Sequence, residues 1–516
     1  MNKLSLVKDY KNERKYDLAV KELKKILSSQ PKHVESHLLL GLIYQEKMQY
    51  DLALGEFKIA LELDPENRSV FILIGNIHNL QGNHSLAERE YRSAIDLKAK
   101  NSAEAHFELG RIYGDQERYD QAIKEYEISL DLEYKKDSLL RLIQLYRFIG
   151  RCEFIEKRAL DGLKSVPEED LFFRNILLNE LEIAQKKTVL SSKIRSFTIT
   201  LTNRCNLDCL MCEAKKISWE IPKETIKEII EFFPYLEHIM WQGGEIFLVD
   251  YFKDVLEETK RYPNIKQLIT TNGLLLSEDL IRKLIILPDV VLTISVDGVT
   301  KNVYEGIRRG AKFEKLIENI KLINLMRKQY NSSLRLHLNV CIMKSNYHQL
   351  VDFIEFAKEY KFGSVLLRPV TGNIRSQESI FQNQDEGVLN YIKKAINEIE
   401  SRAQKYKIIL DNRILSPGSS QAEKKDGKTN GRGLLCYAPW QRLYISWGGN
   451  VYPDCMCIRP YNKGIGNVKK NSIKDIWNNE GMQMYRKKIM DNDYMGLCNP
   501  DCISGRIPER YLKFNR

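Results

Sequence analysis

Apolar positions in the first 135 residues follow helical spacing, and that spacing itself repeats. Alanines at Ala19, Ala53, Ala87 and Ala122, glycines at Gly41, Gly75 and Gly110, and aromatics at Phe57, Tyr91 and Tyr126 recur every 34 or 35 residues, and Pro31 and Pro65 close two of the units. A period of this length predicts stacked helical hairpins, because one hairpin cannot bury its apolar face alone and gains a core from its neighbours. The small residues let antiparallel helices approach, and the aromatics fill the gap between them. The pattern decays after about residue 135. There "LLRLIQLYRFIGRCEFIEKRALDGL" reads as a degenerate unit, with Cys152 as a small buried apolar group, and a capping helix is expected near residues 168 to 185.

From "SFTITL" at residue 196 the texture changes. Short apolar runs, "HIMWQ", "QLITT", "VVLTISV", "LRLHLNV" and "SVLLRPV", alternate with amphipathic stretches such as "PKETIKEIIEFF", "SEDLIRKLII" and "FEKLIENIKLINLMRK". About six such units predict a parallel sheet with crossover helices, with chemistry in the loops at the carboxyl ends of the strands. Composition adds limits. The chain is 516 residues long, 43 % apolar and 29 % charged, with 80 basic and 69 acidic residues for a net charge of +11. No run reaches the length of a membrane span, the first residues have no secretory pattern, and no basic helix interleaved with aromatics points to nucleic acid. A reducing, cytoplasmic location is expected, in which clustered cysteines act as metal ligands or redox groups.

Three of the ten cysteines stand at Cys205, Cys209 and Cys212, in the loop after the first strand. Three thiolates in one loop can cap three irons of a cubane and leave the fourth iron without a protein ligand, whereas zinc takes four ligands and no fourth Cys or His follows within the loop. Zinc and unrelated cysteines are the other readings. Five more cysteines, Cys436, Cys455, Cys457, Cys498 and Cys502, crowd the last 81 residues. They follow a stretch rich in Gly, Ser and Lys, residues 412–435, that reads as a linker.

Three resemblances follow. "LGLIYQEKMQYDLALGEFKIALELDP" resembles a tetratricopeptide repeat, which implies an α-solenoid with a concave groove for a peptide or protein partner. C-x3-C-x2-C after the first strand of a β/α domain resembles the radical S-adenosylmethionine enzymes. That resemblance implies a SAM-binding [4Fe-4S] cluster on Cys205, Cys209 and Cys212, and an external one-electron donor such as flavodoxin or ferredoxin. Met211 stands where the family often has an aromatic. "WQGGEI" resembles the family's Gly-Gly-Glu motif, which implies that Gly243, Gly244 and Glu245 meet the methionine amino group, although Ile246 replaces the usual proline. By the same resemblance Ser295 and Arg308 contact the ribose or carboxylate of the nucleoside, and Asn272, Asn339 and Arg368 point toward the site. "CYAPWQRLYISWGGNVYPDCMC" and "CNPDC" resemble the SPASM/Twitch extension, which implies one auxiliary [4Fe-4S] cluster on Cys436, Cys455, Cys498 and Cys502. Five residues instead of four separate Gly449 from Cys455, so Cys457 is the substitute for Cys455, and zinc is the other occupant of four thiolates.

The expected architecture is multidomain: an all-α tetratricopeptide solenoid with capping helices over 1–190, an α/β partial (β/α)6 barrel over 195–411, and a small α+β iron-sulfur module over 436–516. The expected function is reductive cleavage of SAM to a 5′-deoxyadenosyl radical that takes hydrogen from a substrate presented by the repeats, with the auxiliary cluster relaying electrons. Two alternatives stand beside it: a Twitch-like dehydrogenase or epimerase of a small sugar or amino alcohol, and a non-catalytic iron-sulfur sensor. The sequence names no catalytic acid or base.

Overall fold

The computed structural model describes residues 3–12, 15–98, 101–212, 218–370, 376–380, 386–414, 436–454, 464–491 and 493. Contacts divide the chain into two units, Met1–Gly162 and Leu163–Arg516.

The first unit is built of antiparallel helix pairs: Val34–Glu46 with Tyr50–Leu63, Val70–Leu80 with His84–Asp96, and Ser102–Asp115 with Tyr119–Leu132. One contact recurs in each pair. A methyl group on Gly41 would lie 2.5 Å from the Phe57 ring, one on Gly75 2.6 Å from Tyr91, and one on Gly110 2.7 Å from Tyr126. The aromatic therefore occupies the space that a side chain would need, and Ala53, Ala87 and Ala122 are fully buried one turn away. The same register sets His37 against Glu56 and His106 against Glu125, each at 2.6 Å. Cys152 departs from its expected burial. It opens the helix Cys152–Ser165 as its first residue and is exposed, with the buried positions of that helix beginning at Ile155.

The second unit contains a ten-stranded sheet. Its strands are β1 (Ser196–Thr200), β3 (His238–Gln242), β4 (Lys266–Thr271), β5 (Val290–Ser295), β7 (Arg335–Ile342), β8 (Ser364–Pro369), β9 (Ile409–Asn412), β10 (Arg442–Ile445), β11 (Asn450–Tyr452) and β12 (Gly466–Asn467). Short strands β2 (Asp208–Cys209) and β6 (Arg308–Arg309) pair separately. The order is β12-β11-β10-β1-β3-β4-β5-β7-β8-β9, parallel from β10 to β9. Alternation along each strand sorts the two faces. Ile199, Trp241, Ile269, Leu292 and Leu338 pack against the crossover helices, while the opposite, inner face is mostly half-buried and mixes polar with apolar side chains.

Two features differ from expectation. The first strand of the C-terminal module joins the barrel sheet directly, with Ser196 opposite Arg442 and Ile199 opposite Ile445. The other concerns the helix expected to cap the repeats, Leu171–Ala184, which belongs to the second unit. Its Asn179 donates to Trp440 O (2.7 Å), Glu180 pairs with Arg195 (2.7 Å), and Glu182 accepts from the backbone of Ser191 (2.6 Å) and Ser192 (3.1 Å). Buried polar groups fix a helix to whatever satisfies them, and here the partners lie beside β1 and β10. Of the linker stretch, Asn412 ends β9, and residues 415–435 lie outside the described ones.

Candidate metal and cofactor site

After β1 the two flanks of the cysteine loop are clamped together. Ile221 N donates to Leu201 O (2.8 Å), Asn203 N to Trp219 O (3.1 Å), and Trp219 N to Asn203 Oδ1 (2.6 Å). Thr202 Oγ1 also donates to Trp219 O (2.8 Å), and Arg204 pairs with Glu220 (2.6 Å). On the other side the end of β3 continues its pairing along the same flank: Leu201 N donates to Gln242 O (2.9 Å), Gly244 N to Thr202 O (2.7 Å) and Glu245 N to Arg204 O (2.8 Å). This approach requires glycine. A methyl on Gly243, whose φ is +149°, would lie 2.2 Å from Thr202 O, and one on Gly244 would lie 2.1 Å from Arg204 O. Both clashes are with backbone, which cannot swing aside.

Glu245 is fully buried, and its carboxylate is taken by the protein: Oε1 accepts from Thr271 Oγ1 (2.8 Å) and Phe247 N (3.4 Å), and Oε2 from Asn272 N (2.8 Å). Burial pushes its pKa up, and these three donors pull it back. The carboxylate therefore joins the carboxyl ends of β3 and β4. One product of that join is Asn272, whose Nδ2 donates to Asn206 Oδ1 (2.8 Å) and lies 3.9 Å from the Cys205 sulfur.

The thiols sit among donors. Leu207 N donates to Cys205 Sγ (3.4 Å), and Arg308 Nη1 lies 4.0 Å from Cys209 Sγ. Burial pushes Cys205 up and Cys209 up to about 11, with Arg308 working against the rise at Cys209. Loading a metal group must therefore release protons from these thiols. The negative charges of Cys205 and Cys212 both act on Cys209. Among the described residues no three His, Cys, Asp or Glu side chains are grouped as ligands of a single metal ion. A cubane takes one thiolate per iron, so its ligands stand farther apart than those of a lone ion, and three thiols in one loop, with N–H donors near Cys205 and Cys209, fit it.

Ser295 ends β5 opposite Asn339 on the inner face. Arg308 pairs with Asp297 (2.7 Å), while Arg368 is paired with Asp411 on β9. The same face carries Thr198, Gln242, Thr270, Thr293 and His337, all half-buried, between the apolar Met240, Leu268 and Leu366. Burial, with Arg335 and Lys266 nearby, pushes His337 down to about 4, so the imidazole itself is uncharged at neutral pH. Cys436 lies ahead of the amino end of β10, which runs parallel to β1, and so stands at the opposite end of the sheet from the β1 loop. Cys455, Cys457, Cys498 and Cys502 lie outside the described residues.

Sequence reasoning missed Trp219 and Thr271, whose contacts form only when distant segments meet. Asp297-Gly298, which as sequence reads equally well as a plain strand-end turn, is a fixed corner: Asp297 is fully buried and a methyl on Gly298 would lie 2.5 Å from Tyr304 N. The signal for both was an acid and a glycine directly after a buried strand.

Three family models match: residues 199–357 the radical SAM superfamily, residues 436–503 the SPASM iron-sulfur cluster-binding domain, and residues 4–68, 44–102 and 81–133 the tetratricopeptide repeat. Among curated proteins, GTP 3′,8-cyclase of Clostridium botulinum (strain Hall) is 24 % identical over 213 residues, covering 37 % of this chain and 65 % of the relative. GTP 3′,8-cyclase of Synechocystis sp. is 25 % identical over 204 residues, covering 37 % and 59 %. The chain thus spans less than two thirds of the length of these relatives. Among solved structures, Streptococcus suis SuiB aligns with a TM-score of 0.48 at 15 % identity, over 65 % of this chain and 80 % of that one. anSMEcpe with bound AdoMet and the Cp18Cys peptide aligns at 0.42 and 16 %, over 58 % and 83 %. The chain carries a radical SAM domain followed by a SPASM domain, both of a kind that holds [4Fe-4S] clusters and the first of which binds S-adenosylmethionine, behind N-terminal tetratricopeptide repeats.

Proposed function

We propose that the protein is a radical SAM maturase whose substrate is a peptide or protein held by the repeats. The observation that carries the catalytic part is the cysteine loop locked by the Gly243-Gly244 edge at the carboxyl end of β1, above an inner face that mixes polar with apolar side chains. The chemistry that a cluster on Cys205, Cys209 and Cys212 supplies when bound is one electron to the sulfonium of SAM, giving a 5′-deoxyadenosyl radical that takes a hydrogen atom from the substrate. This chain's residues then do four things. Cys205, Cys209 and Cys212 would hold that cluster as thiolates. The Gly243-Gly244 backbone shapes the loop beside them. Ser295 offers a hydroxyl to the ribose from the end of β5. Cys436, with Cys455, Cys498 and Cys502, would hold the auxiliary cluster, which would supply an acceptor for an electron left on the substrate. An external one-electron donor, a flavodoxin or ferredoxin, and a reducing cytoplasm complete the requirements; no helix among the described residues is long and apolar enough to cross a membrane.

The delivery role rests on the first unit. A recess of about 390 Å³ sets Leu38, Ile72 and Leu73 beside Asn76, Asn101 and the Glu104–Lys135 ion pair, a mix of apolar contact and amide groups that suits an extended peptide. A second reading, a dehydrogenase or epimerase of a small polar molecule, is favoured by the inner face of Thr198, Gln242, Thr270, Thr293 and Asn339. The experiment is anaerobic reconstitution followed by assay of 5′-deoxyadenosine with reductant and SAM. Two cubanes, about eight irons per chain, and slow uncoupled 5′-deoxyadenosine are expected. A protein that holds the irons and makes none is a sensor.

A further inference from the structure

The position of Arg308 points to a different partner from the nucleoside. Strands β2 and β6 pair Cys209 directly with Arg308 and Asp208 with Arg309, and Leu210 N donates to Ile307 O (2.9 Å). Directly opposed residues share a face, so the guanidinium and the thiol are neighbours by virtue of the ladder. Arg308 Nη1 lies 4.0 Å from Cys209 Sγ, and Nη2 lies 2.7 Å from Asp297 Oδ2. All three residues are at least nine-tenths buried, with exposures of 7 % for Arg308, 8 % for Cys209 and 0 % for Asp297.

The acid is fixed in turn. Asp297 Oδ1 accepts from Cys341 N (2.7 Å), its carbonyl accepts from Asn346 Nδ2 (2.9 Å), and the following Gly298 is pressed against Tyr304 N. Arg308 thus has one nitrogen committed to a buried carboxylate that cannot move and another directed at a cluster ligand. A fixed cation beside a thiolate, in surroundings of low dielectric, favours the more negative state of whatever that thiolate holds.

We infer that Arg308, held by Asp297, is a positioning residue whose charge raises the reduction potential of the cluster bound by Cys205, Cys209 and Cys212. This rests on the radical SAM reading above. Reduction adds one negative charge to the cluster, and the guanidinium stabilises that charge more than the oxidised form, while Asp297 offsets it from farther away.

The test is an EPR-monitored redox titration of the reconstituted full chain without SAM, followed on the signal that later shifts when SAM is added. Arg308→Gln should lower the potential, so that at a fixed potential the reduced-to-oxidised ratio falls about tenfold, equivalent to about 59 mV for one electron. Asp297→Asn removes the opposing charge and should move it the other way, and Arg308→Lys should keep most of the wild-type value. Iron content is read in parallel. If Arg308→Gln loses the loop iron, Asp297→Asn and Arg308→Lys decide. Unchanged potentials in iron-loaded variants, or shifts of one sign in both, would overturn the inference. Weaker SAM binding at unchanged potential would return Arg308 to the nucleoside. Wild-type chain that holds no loop cluster sinks the radical SAM reading itself, a result visible in iron content rather than in potential.

Discussion

Gly75 and Gly55 lie in helices of the same unit and should respond to alanine in opposite ways. A Cβ on Gly75 would meet the Tyr91 ring at 2.6 Å, and Tyr91 is fully buried with its hydroxyl donating to Asn76 (2.7 Å), so the ring has nowhere to retreat. Overpacking of this kind costs about 1–3 kcal/mol, and the better helix propensity of alanine returns about 1 kcal/mol. At Gly55 nothing lies within 4 Å. There only propensity acts, and Gly55→Ala should stabilise by about 0.5–1 kcal/mol. Hydrogen exchange of the helices His84–Asp96 and Tyr50–Leu63 would measure both: faster for Gly75→Ala, slower for Gly55→Ala. Equal protection in the two variants would mean that the glycine and aromatic pair is not the packing unit of the repeat.

The cysteine loop is an element held from outside itself. Its described residues have no regular structure beyond the two residues of β2 and the Thr202–Glu220 bridge, and its flanks are held by Trp219 on one side and the Gly243-Gly244 edge on the other. Gly244→Ala changes no ligand, yet its Cβ would lie 2.1 Å from Arg204 O, the residue before Cys205. The variant is expected to lose the loop's iron while the C-terminal iron stays, leaving about half of the total of two cubanes. Iron analysis with and without the Cys205, Cys209 and Cys212 to Ala changes checks this. Full iron in Gly244→Ala would show that the loop keeps its shape without the glycine edge.

At the scale of the molecule, the boundary between the units decides which truncations survive. A chain beginning at Leu163 keeps the helix Leu171–Ala184 and should fold and hold both clusters, since each unit has its own core. A chain beginning near residue 190 removes that helix. It leaves Arg195 without Glu180, and the Ser191 and Ser192 amides without Glu182, inside a buried region. Each orphaned group costs about 1–3 kcal/mol, enough together to endanger a marginally stable fold. Melting temperature and iron content of the two chains would test the difference. If the repeats deliver the substrate, the Leu163 chain should also make 5′-deoxyadenosine and fail to process the native partner. Processing at the full-length rate would end the delivery role.

The sequence by itself determined whatever depends on periodicity and local spacing. The repeat of 34 or 35 residues set the helix pairs because every unit reuses one glycine and aromatic contact. The apolar runs set β1, β3, β4, β5, β7 and β8 to within about two residues because every second side chain of these strands is buried against the crossover helices. The three loop cysteines and Gly243-Gly244 were legible because their spacing is itself the signal. What only the tertiary structure decided is which distant groups satisfy one another. The helix Leu171–Ala184 has the amphipathic pattern of a solenoid cap, and only the location of partners for Asn179, Glu180 and Glu182 assigns it to the second unit. Glu245 reads as a ligand contact in sequence, and only Thr271 and Asn272 reveal where its oxygens go. Arg308 lies 99 residues from Cys209, and a two-residue ladder sets its charge beside that thiol. Buried polar groups must find partners wherever the fold supplies them, and their choice leaves no period along the chain.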